Sequence, residues 1–120
     1  MKGDEKTDIR KRNYSFALKV IELIRLVPKS TVGYVLSKQL IRSGTSIGAN
    51  VEEAQGVSSR KDFINKINIA KKEARETKYW LNLMADSEIL KKDNITVLID
   101  ECASITNILT AIVKTALSKK

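Results

Sequence analysis

The chain has 120 residues, of which 42% are hydrophobic and 30% charged, so it should fold as one globular domain with a single core rather than remain disordered. One cysteine, Cys102, and no histidine exclude an internal disulfide and any Cys/His metal cluster. The net charge of +8 at pH 7 favours polyanionic partners.

The first predicted helix covers residues 8–27 and ends before Pro28, because proline cannot continue a helix. Its apolar row is Phe16, Val20, Leu23 and Val27, beside a second row of Ala17, Ile21 and Ile24. Two apolar rows on one helix indicate contact with two neighbours.

The second predicted helix covers residues 31–55, with Thr31 as its N-cap and Gly56 as a left-handed C-terminal residue. Its row is Val32, Leu36, Leu40, Ser43, Ile47, Val51 and Ala54. Gly44 and Gly48 each weaken a helix by about 1 kcal/mol relative to alanine, so we expect another backbone to approach them closely.

The third predicted helix covers residues 59–87 with Ser58 or Ser59 as its cap, and the fourth covers residues 94–118 with Asp93 or Asn94 as its cap. The third has the row Phe63, Ile67, Ala70, Ala74, Thr77, Leu81 and Met84. The fourth has the row Ile95, Leu98, Cys102, Ile105, Leu109, Ile112 and Ala116.

Short linkers between long helices predict an all-α, antiparallel, up-down-up-down four-helix bundle in one domain, residues 1–120. The fourth helix has further apolar residues outside its main row: Val97, Ile99, Ile108, Val113 and Leu117. This surplus, with that of the first helix, predicts homo-oligomerisation through both.

The third helix separates its charges. At about 100° per residue from Phe63, six cations fall between about 60° and 180°. We call them the basic stripe: Arg60, Lys61, Lys71, Lys72, Arg75 and Lys78. Asp62, Glu73 and Glu76 lie instead at about 220° to 280°. Such a stripe suits phosphate contacts in RNA or DNA, although a solvated face is the plain alternative. Aromatics are only 5% of the chain, which argues against an extensive base-stacking platform.

A polar seam flanks the apolar row of the second helix: Arg42, Ser46, Asn50 and Glu53. We expect a structural polar network between helices or subunits, in which Arg42 and Glu53 have charged partners and Asn50 fixes a register. A ligand site is the alternative.

No catalytic constellation is apparent, so we expect no enzyme, no metal and no cofactor. Histidine is absent, the neighbouring Glu52 and Glu53 diverge by about 100°, and Cys102 falls in a core row. A hydrolase is the third hypothesis, and it requires that a divalent metal produce an activity that substitution of Glu52 or Glu53 abolishes.

The chain shows no apolar run near the roughly 20 residues of a membrane span, and its start, with Lys2 and Asp4, lacks the apolar core of a signal peptide. A soluble cytoplasmic protein without membrane contact is expected.

The centre of the chain resembles a known family. The matching positions are Gln39, Arg42-Ser43, Ser46-Ile47, Ala49-Asn50-Val51, Glu53, Gly56, Ser59, Lys61-Asp62 and Phe63. They are similar to the signature of four-helix bundle proteins encoded in intervening sequences of bacterial 23S rRNA genes, also called the S23 ribosomal protein family. Ala54 replaces a usual glycine, and Val57 a frequent basic residue.

The resemblance implies a left-handed bundle that assembles as a pentamer with a basic surface, in an RNA-linked setting. Accessory proteins of diversity-generating retroelements have a similar fold. The leading hypothesis is therefore a non-enzymatic oligomer that binds RNA or another nucleic acid through the basic stripe. The alternative is a scaffold that recruits an acidic protein partner without nucleic acid.

Overall fold

Four helices make up most of residues 5–119, the part of the chain that the computed structural model describes, with side chains from residue 9 onward. They are α1 (Glu5–Arg25), α2 (Thr31–Gln55), α3 (Arg60–Asp86) and α4 (Lys92–Ser118), and no strand occurs within this range. Lys2 and Asp4, cited above against a signal peptide, lie outside the described residues.

Each helix packs against its two neighbours around a square, α1 on α2, α2 on α3, α3 on α4 and α4 on α1. Arg10 reaches Glu52 whereas Val20 lies beside Gly44, so α1 and α2 run in opposite directions. The predicted all-α four-helix bundle is confirmed. The molecule is an elongated rod of 51 × 25 × 19 Å.

One apolar row from each helix fills the centre of the rod. Its largest fully buried side chains include Phe16, Leu40, Ile67, Leu81 and Leu109. The apolar row predicted for the second helix is wrong at its first position, because Val32 is 61% exposed and Gly33 is buried instead. The row predicted for the fourth helix is wrong at its end, because Val113 is buried in the core whereas Ile112 and Ala116 are only half-buried.

The first helix, predicted at residues 8–27, is observed at Glu5–Arg25, and three predicted caps also differ from the structure. Ser30, not Thr31, caps α2, since the Gly33 amide donates to Ser30 Oγ at 2.9 Å. Gly56 has φ −98° and is not left-handed. Neither Asp93 nor Asn94 caps α4, because the helix already begins at Lys92. Its N-cap residue is Lys91, whose side chain makes no capping hydrogen bond. Ser59 does cap α3, accepting a hydrogen bond from the Asp62 amide.

Close packing explains the glycines of α2, although the neighbour of Gly44 is a side chain and not the expected backbone. A Cβ on Gly44 would lie 3.2 Å from Val20 Cγ2, and one on Gly48 would lie 3.2 Å from Asn13 Cβ and 3.9 Å from the Asn13 backbone. Gly33, which the sequence pattern did not single out, is the tightest: its Cβ would lie 2.5 Å from the Pro28 carbonyl oxygen. The turn between α1 and α2 therefore packs directly on Gly33.

Three polar side chains lie in the core: Asn13, Ser43 and Thr77. Thr77 Oγ1 is 2.9 Å from Ser43 Oγ, across the seam between α2 and α3, and 2.7 Å from the Glu73 carbonyl oxygen. Asn13 lies in the seam between α1 and α2, and its amide has no partner among the described residues. The Ser43–Thr77 contact is thus a satisfied polar link between α2 and α3 inside the bundle.

We expect Gly33→Ala to destabilise the fold and Gly56→Ala to leave it unchanged or more stable. Overpacking against a backbone oxygen costs about 1–3 kcal/mol, which offsets or exceeds the helix-propensity gain of about 1 kcal/mol. Gly56 has negative φ and only the Glu53 carbonyl oxygen near its Cβ position, at 3.8 Å. Urea unfolding of both variants measures the difference, and equal midpoints would refute the close packing at Gly33.

A double-mutant cycle should show coupling of about 1 kcal/mol between Ser43→Ala and Thr77→Val. Each single change leaves the other buried hydroxyl without its contact across the seam, whereas the double change removes both hydroxyls. Thr96→Val is the matched control, because the exposed Thr96 hydroxyl bonds only the Lys92 carbonyl of its own helix. Additive free energies of unfolding for Ser43→Ala and Thr77→Val would contradict a shared hydrogen bond.

Candidate nucleic-acid interface

The acidic edge of α3 faces α2. Arg42 Nη1 lies 3.5 Å from Glu73 Oε1, and the Arg42 guanidinium also pairs with Glu76. Lys66 Nζ lies 2.6 Å from Glu53 Oε1 across the same seam. Glu73 and Glu76 are therefore paired with α2, whereas Asp62 has no ion pair among the described residues, so the inward side of the charge separation along α3 has a structural cause at its two glutamates.

Carboxylates of the other seams are engaged in the same way. Arg10 binds Glu52 between α1 and α2, and Arg12 binds Glu101 between α1 and α4, each through two nitrogen–oxygen contacts of 2.7–3.0 Å. Hydrogen bonding from Arg10 lowers the pKa of the Glu52 carboxyl. These acidic side chains thus lie within helix seams, leaving the excess cations outside.

The basic stripe lies on the opposite flank of α3, toward solvent. Lys61, Lys72, Arg75 and Lys78 are exposed and Lys71 is half-buried. None of these five makes an ion pair with a carboxylate among the described residues. The structure thus places the predicted residues on one continuous face about 26 Å long, from Lys61 to Lys78.

Two features mark the ends of this face. At the N-terminal end, the Arg60 guanidinium donates to the Lys119 carbonyl oxygen at the end of α4. At the other end Asp86, the last residue of α3, lies at about 140° on the helix and so within the sector of the cations. The acid-free part of the face therefore stops before Asp86.

The four residues of the polar seam have different environments. Arg42 and Glu53 reach the charged partners on α3 described above. Ser46 donates to the Arg42 carbonyl at 2.6 Å and Asn50 to the Ser46 carbonyl at 2.8 Å, so both bond within α2. The seam is therefore a charged clamp between α2 and α3 at its two ends, with local bonds between them.

Sequence reasoning did not identify the partners of this clamp. Lys66 lies beside the acidic edge of α3, at about 300° from Phe63. Its position on the helix was therefore a signal that it could contact α2. Arg10 and Arg12 are also placed on the two sides of the α1 core row, which is a signal for pairing with two neighbours. Nothing in the sequence says which carboxylate each one meets.

Cys102 is buried and its Sγ donates to the Ala74 carbonyl oxygen at 3.1 Å. Burial raises the pKa of the thiol to about 12, so a thiolate nucleophile is not formed near neutrality. Within the described residues, no three Asp, Glu or Cys side chains gather as metal ligands.

By length and composition alone, α4 is long and apolar enough to cross a membrane. The expectation that no apolar run approaches the length of a membrane span is therefore wrong for α4. Its row Ile95, Leu98, Cys102, Ile105, Leu109 and Val113 is buried against the other helices.

Known proteins have a similar sequence and fold. Residues 5–111 match the family model of the 23S rRNA-intervening sequence protein. A crystal structure from Bacteroides thetaiotaomicron, of a protein with unknown function from the S23 ribosomal protein family, is 38% identical with a TM-score of 0.86. The similarity covers 92% of this chain and 98% of that chain. No match occurs among the curated proteins.

We expect Cys102 to resist a thiol-specific reagent such as DTNB in the folded protein at mildly alkaline pH. A raised pKa means that thiolate appears only as the pH rises toward about 12, so labelling should be at least about 100-fold slower than in concentrated guanidinium chloride. The measurement is the absorbance of released thionitrobenzoate over time. Equal rates in both conditions would contradict the buried position.

Proposed function

The chain belongs to the 23S rRNA-intervening sequence protein family, and from that membership we propose that it binds RNA, or another nucleic acid, through the basic stripe of α3. The observation that carries the proposal is a run of exposed cations with no carboxylate partners among the described residues, on a bundle whose other charged contacts pair across helix seams. The proposed role is non-enzymatic and cytoplasmic, without a cofactor.

Phosphate binding is the chemistry that this face supports. Cations on successive turns of one rigid helix follow a phosphate backbone without an ordering cost for the helix itself. Each contact releases condensed counterions, so the affinity should fall steeply with salt. An acidic protein partner would contact the same stripe. The experiment below distinguishes that alternative from nucleic-acid binding.

We also propose that the protein is a homo-oligomer, and the family resemblance implies a pentamer. Its contacts would use exposed apolar side chains on or beside α1 and α4: Leu18 of α1, Leu26 just after α1, and Val97 and Leu117 of α4. Of the surplus inferred from sequence, Val113 is buried and Ile99 and Ile108 are half-buried within the bundle itself. The surface available for assembly is therefore smaller than the sequence pattern indicated.

Fluorescence anisotropy of structured RNA, single-stranded RNA and duplex DNA across a salt series tests the nucleic-acid proposal. We expect tight, salt-steep binding with a preference for structured RNA. Lys72→Glu with Arg75→Glu should weaken binding roughly tenfold or more at low salt and reduce the salt slope by about one unit for each lost contact.

The matched control is Lys29→Glu with Lys38→Glu, which changes the net charge equally at two exposed residues outside α3. It should alter the affinity less and leave the slope unchanged. An unchanged slope in the α3 variant sinks the assignment to the stripe. No binding of any nucleic acid at low salt would favour the acidic protein partner instead.

Val97→Asp should lower the oligomer mass measured by light scattering, because a charge would enter the proposed contact between subunits. Val32→Asp is a close control: both valines are 61% exposed, but Val32 lies on α2. If the wild-type protein is a monodisperse monomer, or if both variants behave alike, the proposed contact through α1 and α4 is wrong.

A further inference from the structure

One aromatic side chain lies within the basic stripe. Tyr79 is 59% exposed and sits at about 160° on α3, one turn or about 6 Å beyond Arg75. Its hydroxyl has no hydrogen-bond partner among the described residues. A large aromatic ring held among unpaired cations has no evident role in the core of the bundle.

Tyr79 is positioned by a chain of contacts that leads back to α2. Its ring meets the half-buried Trp80 in an edge-to-face arrangement, with centroids 5.0 Å apart and planes at 75°. Trp80 Nε1 donates to Glu76 Oε2 at 3.2 Å, and Glu76 pairs with Arg42. An edge-to-face contact engages at most one face of the tyrosine ring, and with 59% of Tyr79 exposed the ring keeps surface available to a ligand.

We infer that Tyr79 stacks on an unpaired base, so that the preferred structured RNA is one whose loops or bulges expose unpaired nucleotides; this rests on the proposed function. Arg75 and Lys72, one and two turns away, hold the adjacent phosphates. Stacking on a single aromatic ring tolerates any base, since every base has a π-face.

Duplex RNA does not offer the same contact. Its bases are stacked on each other, and its deep, narrow major groove excludes side chains, so a perfect duplex reaches only the cations. The same helix therefore contributes to binding in two ways. The cations act on any polyanion, and Tyr79 acts on unpaired nucleotides.

The test uses the full chain and two fluorescein-labelled probes, an unstructured RNA oligonucleotide and a perfect RNA duplex of equal length. Tyr79→Ala should weaken binding of the single strand by about 5- to 150-fold, the range for loss of one stacked base, and change duplex binding by less than about twofold. Tyr79→Phe keeps the ring and should retain single-strand affinity. The control Tyr34→Ala removes a tyrosine that is 72% exposed on α2, and should change neither.

Tyr79→Leu guards against a packing effect, because it keeps apolar contact with Trp80 but has no π-face. It should resemble Tyr79→Ala in binding and the wild type in thermal unfolding. Trp80 is the only tryptophan of the chain, so its fluorescence reports a base bound beside it, and a single strand but not a duplex should change it.

Failure of this inference and failure of the proposed function look different. Equal losses on both probes, or wild-type affinity in Tyr79→Ala or Tyr79→Leu, would overturn the stacking while salt-steep RNA binding still stands. Absence of wild-type binding to either probe would overturn both.

Discussion

The rotation of α3 against α2 is the constraint on which the rest of the arrangement depends. The buried Ser43 and Thr77 hydroxyls meet across that seam, and Arg42 binds Glu73 and Glu76 beside them. A helix has only one rotation that satisfies both contacts, because Thr77 and the two glutamates occupy a limited arc of its surface. With that arc turned inward, the opposite cations must face solvent.

The basic stripe has no carboxylate partners in the part of the chain that the structure describes, while several acids pair across the helix seams. Glu52, Glu53 and Glu101 pair across seams in addition to the α3 glutamates. Exposed ion pairs contribute little stability, so the cations of α3 cost the fold little by remaining unpaired. A surface that contributes little to folding is available for binding, and its field attracts polyanions.

Sequence periodicity identified the helices, the bundle and most of the core, because a 3.6-residue apolar pattern repeats through all four elements. It also placed the basic stripe, since that depends on one helix alone. It failed where the answer lay in another element: the partner of Arg42, the burial of Val113 and the packing of Pro28 on Gly33. Capping was also wrong at Thr31 and Gly56, where the choice between adjacent residues depends on a turn whose path the sequence leaves open.

The most direct test of the central claim, that the setting of α3 creates an RNA-binding face, is photochemical cross-linking of the protein to RNA containing 4-thiouridine, with mass spectrometry of the linked peptides. The account predicts cross-links on α3 between Lys71 and Tyr79, lost when excess unlabelled RNA competes. Cross-links concentrated near Lys29, in the turn between α1 and α2, and near Lys38 on α2, or on α1 and α4, with α3 unmodified, would contradict it.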